Sequence, residues 1–256
     1  MITRQRAQLL RAALKEQSGP QSPRDLEQPY GDNPTVFGDA PNRKRMNLCN
    51  IHIHEGAEHR GGEFKTYAGD GDGSGFNSGY LYSGQLSEAE LKPVSMKSRS
   101  ESHRTLPPGS TIEIHFVYST ARVKPGPTLA SCQSPQNRNP QLRVEAVVAV
   151  LVNNRNAADF VTMTRHRVID GYHAAPNIPD NLGRPVVYSG STTGPHYNLR
   201  PSPYQVTWSV RPKVIKVDVL SVDRWLKANA FDEDHAHGVR NLIINPALLS
   251  PIQASN

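Results

Sequence analysis

Three histidines stand at spacings that let their imidazoles meet on one ion. His52 and His54 are one residue apart in Cys49-Asn50-Ile51-His52-Ile53-His54-Glu55-Gly56-Ala57-Glu58-His59, and His115 lies in Ile112-Glu113-Ile114-His115-Phe116-Val117. Residues two apart in a strand share a face, separated by about 6–7 Å along the chain. Two such histidines converge on a metal about 2.0–2.1 Å from each nitrogen. A third from a neighbouring strand leaves the fourth position open, as catalytic zinc requires. Glu113 shares the face of His115 and can orient a neighbouring imidazole. A lone His-x-His is more often a pair of solvated polar residues; Glu58 and the His115 strand favour a ligand set instead. His59 stays open between a structural hydrogen bond, a solvent position and a proton acceptor. A third segment, Tyr188-Ser189-Gly190-Ser191-Thr192-Thr193-Gly194-Pro195, is followed by Val206-Thr207-Trp208.

These groups need rigid elements to position them. Asn47 to His54 alternates as a strand with Leu48, Asn50, His52 and His54 on one side. Thr111 to Tyr118 reads as a second strand, entered through the Pro107-Pro108-Gly109 turn. Val144 to Val150 is apolar and β-branched, as a strand buried on both faces must be. Gln205 to Val210 and Val214 to Val219 read as two further strands. Ser221 to Ala230 reads as a helix with Trp225 and Leu226 facing inward and Ser221 as N-cap. Gly69 to Gly79 is a loop whose Asp70, Asp72 and Ser74 hint at calcium. Its twelfth position is Leu81 where a bidentate Glu is needed, so a tight turn is the better reading. The expected fold is mainly β (α+β): a large, mostly antiparallel central sheet with few short helices.

The 256 residues suit one large domain. Residues 1–34 read as a basic amphipathic N-terminal arm and linker, and 35–256 as the catalytic domain. Arg4, Arg6, Arg11 and Lys15 place much of the net charge of +6 in the arm. No aromatic interleaving or nucleic-acid module accompanies them, so the arm is expected to dock on the domain, bind a protein partner or a second copy, or hang free. No apolar run is long enough to span a membrane. The absence of an export signal leans towards the cytoplasm. The two cysteines, Cys49 and Cys132, can form a disulfide or stay as two buried thiols; a disulfide would point to a periplasmic or extracellular location.

His-x-His, a following Glu-His pair, Glu-x-His, and Gly-Ser-x-Thr before Val-Thr-Trp resemble, in that order, the active-site segments of α-class carbonic anhydrases. The finer text is closer to the δ class. The residues that carry this likeness are 52–59, 113–115, Gly190-Ser191-Thr192-Thr193-Gly194 and Ser202-Pro203-Tyr204-Gln205-Val206-Thr207-Trp208. It covers most of the chain from about Gln21 to Ile252.

The resemblance implies an α-carbonic-anhydrase-like fold and one zinc ion per chain on His52, His54 and His115. It implies reversible hydration of CO2 to bicarbonate and a proton by a zinc-bound hydroxide. Asn50 and Glu113 would support the ligands. Thr193 would orient the hydroxide, with Glu58 accepting from it. Val117, Thr192 and a valine of the Val144–Val150 run, taken as Val148, would line the substrate pocket. Asn241 is a loose match to an asparagine whose backbone supports a zinc histidine. The interval from His54 to Glu58 is shorter than in the α class, which makes Glu63 the fallback for Glu58. No histidine precedes His52, so the proton shuttle falls to His59 or His196. Two rival readings are a cupin-type iron or manganese enzyme, through His-x-His-x3-Glu, and an inactive carbonic-anhydrase-like module that binds a partner.

Overall fold

Alternating apolar and polar residues build the strands, and the strands arrange the histidines. The computed structural model describes residues 1–96, 105–192 and 196–253. Helix α1 (Ile2–Glu16) precedes β1 (Asn47–Glu55), the hairpin β2 (Thr66–Asp70) and β3 (Ser78–Leu81), and the single-turn α2 (Glu88–Leu91). Then come β4 (Thr111–Ser119), β5 (Leu142–Val152), α3 (Phe160–Met163), the small hairpin β6 (Arg167–Ile169) and β7 (Tyr172–Ala174), β8 (Val186–Ser191), β9 (Gln205–Asp218) and α4 (Val219–Lys227). The central sheet has the order β1-β4-β5-β9-β8. Only the β5–β9 pairing is parallel, so the sheet is mostly antiparallel, as expected.

One face of this sheet is apolar throughout. Ile51, Ile53, Ile112, Ile114, Phe116, Val147 and Ala149 pack against Phe160, Val222 and Trp225 of α3 and α4. The other face carries His52, His54, Glu113 and His115 in a frame of Val117, Val144, Ala146, Trp208 and Val210.

Several local readings need correction. Leu48 packs with Ile51 and Ile53 on the apolar face, because the β1–β4 register shifts between Leu48 and Asn50. The two strands expected at 205–219 are one, β9. Its register against β5 jumps from Val210↔Ala146 to Val214↔Val148, a bulge that accommodates Pro212, which has no N–H for the ladder. The N-cap of α4 is Asp218, which accepts from the Leu220 N–H, while the Ser221 hydroxyl accepts from the Phe160 N–H instead. The Asp72 carboxylate is occupied by the Ser74 and Phe76 amides of its own turn, as a tight turn predicts.

The arm is docked. Ile2, Leu9 and Ala13 of α1 are buried, and Leu9 and Ala13 pack with Ile243, Leu248 and Leu249. Burial at about 1.5–3 kcal/mol per large apolar side chain holds a helix that is marginal alone. The connector is not a loose linker: Gln21, Ser22 and Arg24 are buried. Gln21 Oε1 accepts from the Ser191 hydroxyl and the Ser202 N–H, so residues 18–34 are stitched into the body by polar groups that composition alone reads as solvated.

Candidate metal centre

The sheet register sets the site in rows. His52 lies directly opposite His115, which lies opposite Ala146 and then Val210. Each histidine offers one ring nitrogen to a common point, the three lying within 4.8 Å of one another. His52 Nε2 and His115 Nδ1 are 3.2 Å apart.

The other nitrogen of each ring is already committed. His52 Nδ1–H donates to Asn50 Oδ1 at 2.6 Å, His54 Nδ1–H to the Gly238 carbonyl at 3.0 Å, and His115 Nε2–H to Glu113 Oε1 at 2.8 Å. These bonds place the lone pairs on Nε2 of His52, Nε2 of His54 and Nδ1 of His115, all facing one another. Facing lone pairs at this distance repel unless a cation sits between them. The donor set therefore fits a divalent metal that prefers imidazole, with three protein nitrogens and an open side.

Burial keeps the imidazoles of His52 and His54 neutral, the form a metal needs. Burial first, and then the neighbouring imidazoles, hold His52 well below its ordinary range and His54 down to about 4. Behind them sit two buried carboxylates. Burial alone would push Glu113 up, but the charge of His59 and hydrogen bonds from His115 and His59 outweigh it and hold the carboxyl well below its usual range. Glu113 Oε2 also accepts from the Glu58 and His59 amides at 2.8 and 3.1 Å. Glu58 Oε1 accepts from the Arg240 N–H at 2.9 Å. Glu58 lies 3.6 Å from His54 Nδ1 and 3.9 Å from His115 Nε2. Those are the nitrogens turned away from the common point, so Glu58 stands behind the imidazoles and is not a ligand.

His59 is corrected as a proton shuttle. It is fully buried, with Nδ1 on Glu113 Oε1 and Nε2 on the Tyr188 hydroxyl, both at 2.7 Å, so it has no opening to solvent. Its place is to hold Glu113, which holds His115. His196 is exposed, in a left-handed turn (φ 63°). Thr193 lies outside the described residues. Glu63 is exposed and accepts from the Val214 N–H, a contact apart from the histidines. Gly238, not Asn241, supplies the supporting carbonyl; Asn241 instead bonds Asn198 and Gln5 of α1.

The register also orders the apolar residues around the histidines. Val117 shares a row with Asn50, Val144 and Trp208, whereas Val148 pairs with Glu113 in the His54 row. Val144 is the cross-strand partner of Val117, and Val148 stays in the same buried cluster. Thr192 lines a cavity of 230 Å³ with Leu142 and Cys132. This cavity shares Leu129 and Ala130 with a larger one of 520 Å³ that opens on His52 and His54.

That larger cavity holds the group missed from sequence. His237 lines it with Tyr197 and Glu233, its ring centroid 5.8 Å from that of His52. Its Nε2 pairs with Glu233 Oε2 at 2.7 Å and its side chain is 44% exposed. The Glu233 hydrogen bond raises its pKa above the ordinary histidine value, outweighing burial. His235 continues outward, ring centroid 5.2 Å from His237. The signal was a second His-x-His in Glu233-Asp234-His235-Ala236-His237.

The model of the delta carbonic anhydrase family matches residues 43–221. No curated protein sequence matches the chain. Among solved structures, a halotolerant carbonic anhydrase from Dunaliella salina aligns at 18% identity over 52% of this chain and 48% of that one, TM-score 0.29. The chain therefore spans about half the length of that protein. The α-carbonic anhydrase from Thermovibrio ammonificans aligns at 16% identity over 87% of this chain and 84% of that one, TM-score 0.31. A hyperthermostable carbonic anhydrase from a hydrothermal vent chimney aligns at 15% over 91% and 89%, TM-score 0.32.

Proposed function

The chain belongs to the delta carbonic anhydrase family, and from that premise we propose that it hydrates CO2 reversibly with one zinc ion on His52, His54 and His115. The observation that carries this reading is the set of three imidazoles whose far nitrogens are bonded to Asn50, Gly238 and Glu113. An all-nitrogen set with an open side suits zinc. The carboxylate that a cupin would use as a ligand, Glu58, stands on the wrong side of the rings. When bound, zinc would supply a Lewis acid that brings a water in the open position to a pKa of about 7, the value known for carbonic anhydrases.

The chain's own residues do the rest. Asn50, the Gly238 carbonyl and Glu113 keep the ligand nitrogens deprotonated and aimed. Val117, Val144 and Trp208 are buried apolar neighbours of the histidines and would favour apolar CO2 over the bicarbonate anion. By the resemblance, the Thr193 hydroxyl would orient the water that the metal activates, with Glu58 as the acceptor of the hydroxyl proton. The proton released in each turnover leaves by His237, whose Nε2 hands it towards Glu233 and His235 at the mouth. The disulfide between Cys49 and Cys132 supports an oxidising compartment over the cytoplasm.

Metal analysis and a CO2-hydration assay on the wild type and His115→Ala test the reading. The wild type is expected to hold one zinc per chain and to hydrate CO2, and the variant to lose both. Equal zinc and turnover in the variant would remove His115 from the site.

A further inference from the structure

Cys49 lies next to Asn50 and three residues before His52, at the shift in the β1–β4 register. That shift turns its side chain onto the metal face, where it is bonded to Cys132, 83 residues later. Cys132 ends the short 3-10 helix Leu129–Cys132, part of the loop that runs between β4 and β5. The same loop touches β1 twice more. The Gly126 N–H donates to the Cys49 carbonyl at 3.0 Å, and the Gly126 carbonyl accepts from Asn50 Nδ2 at 3.1 Å.

The second of these bonds sets the chemistry at the metal. Because Nδ2 of Asn50 is spent on Gly126, Oδ1 must face His52, and it accepts from Nδ1–H at 2.6 Å. A reversed amide would set N–H against N–H. The loop thus fixes the lone pair of His52 on Nε2 through a single side chain. Between the two anchors, Leu129 and Ala130 form a wall common to the cavity over His52 and His54 and the smaller one beside Thr192. Cys49 and Cys132 are fully buried and Asn50 is 1% exposed, so the clamp lies inside the site's own packing.

We propose that the Cys49–Cys132 disulfide is a positioning element of the metal centre: it clamps loop 126–132 on β1 so that Gly126 holds Asn50, and Asn50 holds His52. This rests on the carbonic anhydrase reading. The chain of contact has one covalent link and two hydrogen bonds. Without the covalent link, the loop, whose own regular structure here is one short turn, rests on a few bonds and opens more readily.

The test is zinc release from the full chain to excess chelator, under conditions where circular dichroism shows every variant folded. In the pair Cys49→Ser/Cys132→Ser, release is expected to quicken about tenfold, the lower end of what loss of a ligand's supporting partner costs. The visible spectrum of the cobalt-loaded protein, which reads ligand geometry and not global stability, is expected to change as well. Should the serine pair fail to fold, Cys49→Val/Cys132→Ala refills the buried volume and carries the same measurement. In an Asn50→Ala background the cysteine changes are expected to add less than about twofold, because the clamp acts through Asn50. Unchanged release and spectrum in a folded cysteine variant, or full additivity with Asn50→Ala, overturns the positioning role while wild-type zinc uptake and CO2 hydration leave the enzyme reading intact. A disulfide-bonded wild type that takes no zinc sinks both.

Discussion

Ile53 and His54 are neighbours in β1, yet they face two sides of the sheet held together by different physics. On the Ile53 side, Ile51, Ile112, Ile114, Phe116 and Val147 meet α3 and α4 through apolar area, which is non-directional and shared among many neighbours. On the His54 side, each polar group has named partners: Asn50 for His52, Gly238 for His54, and Glu113 for both His115 and His59. The first face is robust to which atoms fill it and sensitive to how much volume is filled. The second is the reverse. Loss of one atom there leaves a buried donor or acceptor without its partner, at a cost of about 1–3 kcal/mol each. The same strands thus hold a stability store on one side and a chemical instrument on the other.

If the two faces are separable, a cut in one leaves the other working. Phe116→Ala removes a fully buried ring from the apolar face and is expected to cost about 3–5 kcal/mol of stability in urea unfolding. Zinc content per folded chain should stay at that of the wild type. Loss of zinc from folded Phe116→Ala would show that the faces are coupled through β4.

The metal face contributes its own pH dependence when no metal is bound. His54 is held at about 4 in the folded chain, below the ordinary histidine value. Above pH 6.5 the imidazole is neutral in both states and costs nothing. As pH falls from there towards 4, the unfolded chain takes up a proton that the folded one refuses, so stability is lost through that window, on the order of 3 kcal/mol for this residue. Urea unfolding of metal-free protein at pH 7 and at pH 4.5 measures it, and the slope should be the same in Phe116→Ala. A metal-free protein as stable at 4.5 as at 7 would contradict the burial of these rings.

Glu113→Gln sharpens the comparison from the other side. The amide can still accept from His115, but its NH2 end has no acceptor among the Glu58 and His59 amides it would face. Zinc affinity is expected to fall by about 10–100-fold, with a smaller change in unfolding than Phe116→Ala produces. Competition with a calibrated chelator reads the affinity, and an unchanged value would remove Glu113 from the support of His115.

Much of the histidine cluster was legible because strand alternation is a rule of period two: His52 and His54 share a face, and Glu113 and His115 share another stretch of it. Leu48 broke the rule through a bulge, and which of the consecutive valines pairs with Val117 needs the pairing register, which no single strand carries. Least visible were the backbone partners. The Gly238 carbonyl serves His54 across 184 residues, and the Gly126 carbonyl serves Asn50 across 76. Any residue type supplies a carbonyl, so composition leaves no mark of either.

His237 was unread for a related reason, as its role depends on where a loop returns. Its N–H donates to the Ile53 carbonyl and its carbonyl accepts from the Glu55 N–H, which seats it beside β1 at the cavity wall. From there it is the half-exposed imidazole beside His52 and His54, with Glu233 and His235 beyond it. His237→Gln keeps a polar side chain and removes an imidazole whose pKa the Glu233 hydrogen bond raises above the ordinary histidine value. The variant should bind zinc like the wild type and be slower at steady state in dilute buffer, by up to about a hundredfold, the lower bound for a positioned general acid–base group. Small, imidazole-sized buffers at high concentration should restore the rate, because they carry the proton in place of the lost ring. A rate that stays at the wild-type level in dilute buffer would place proton exit elsewhere; a slow rate that no buffer rescues would make His237 part of the metal face's geometry and not of its proton path.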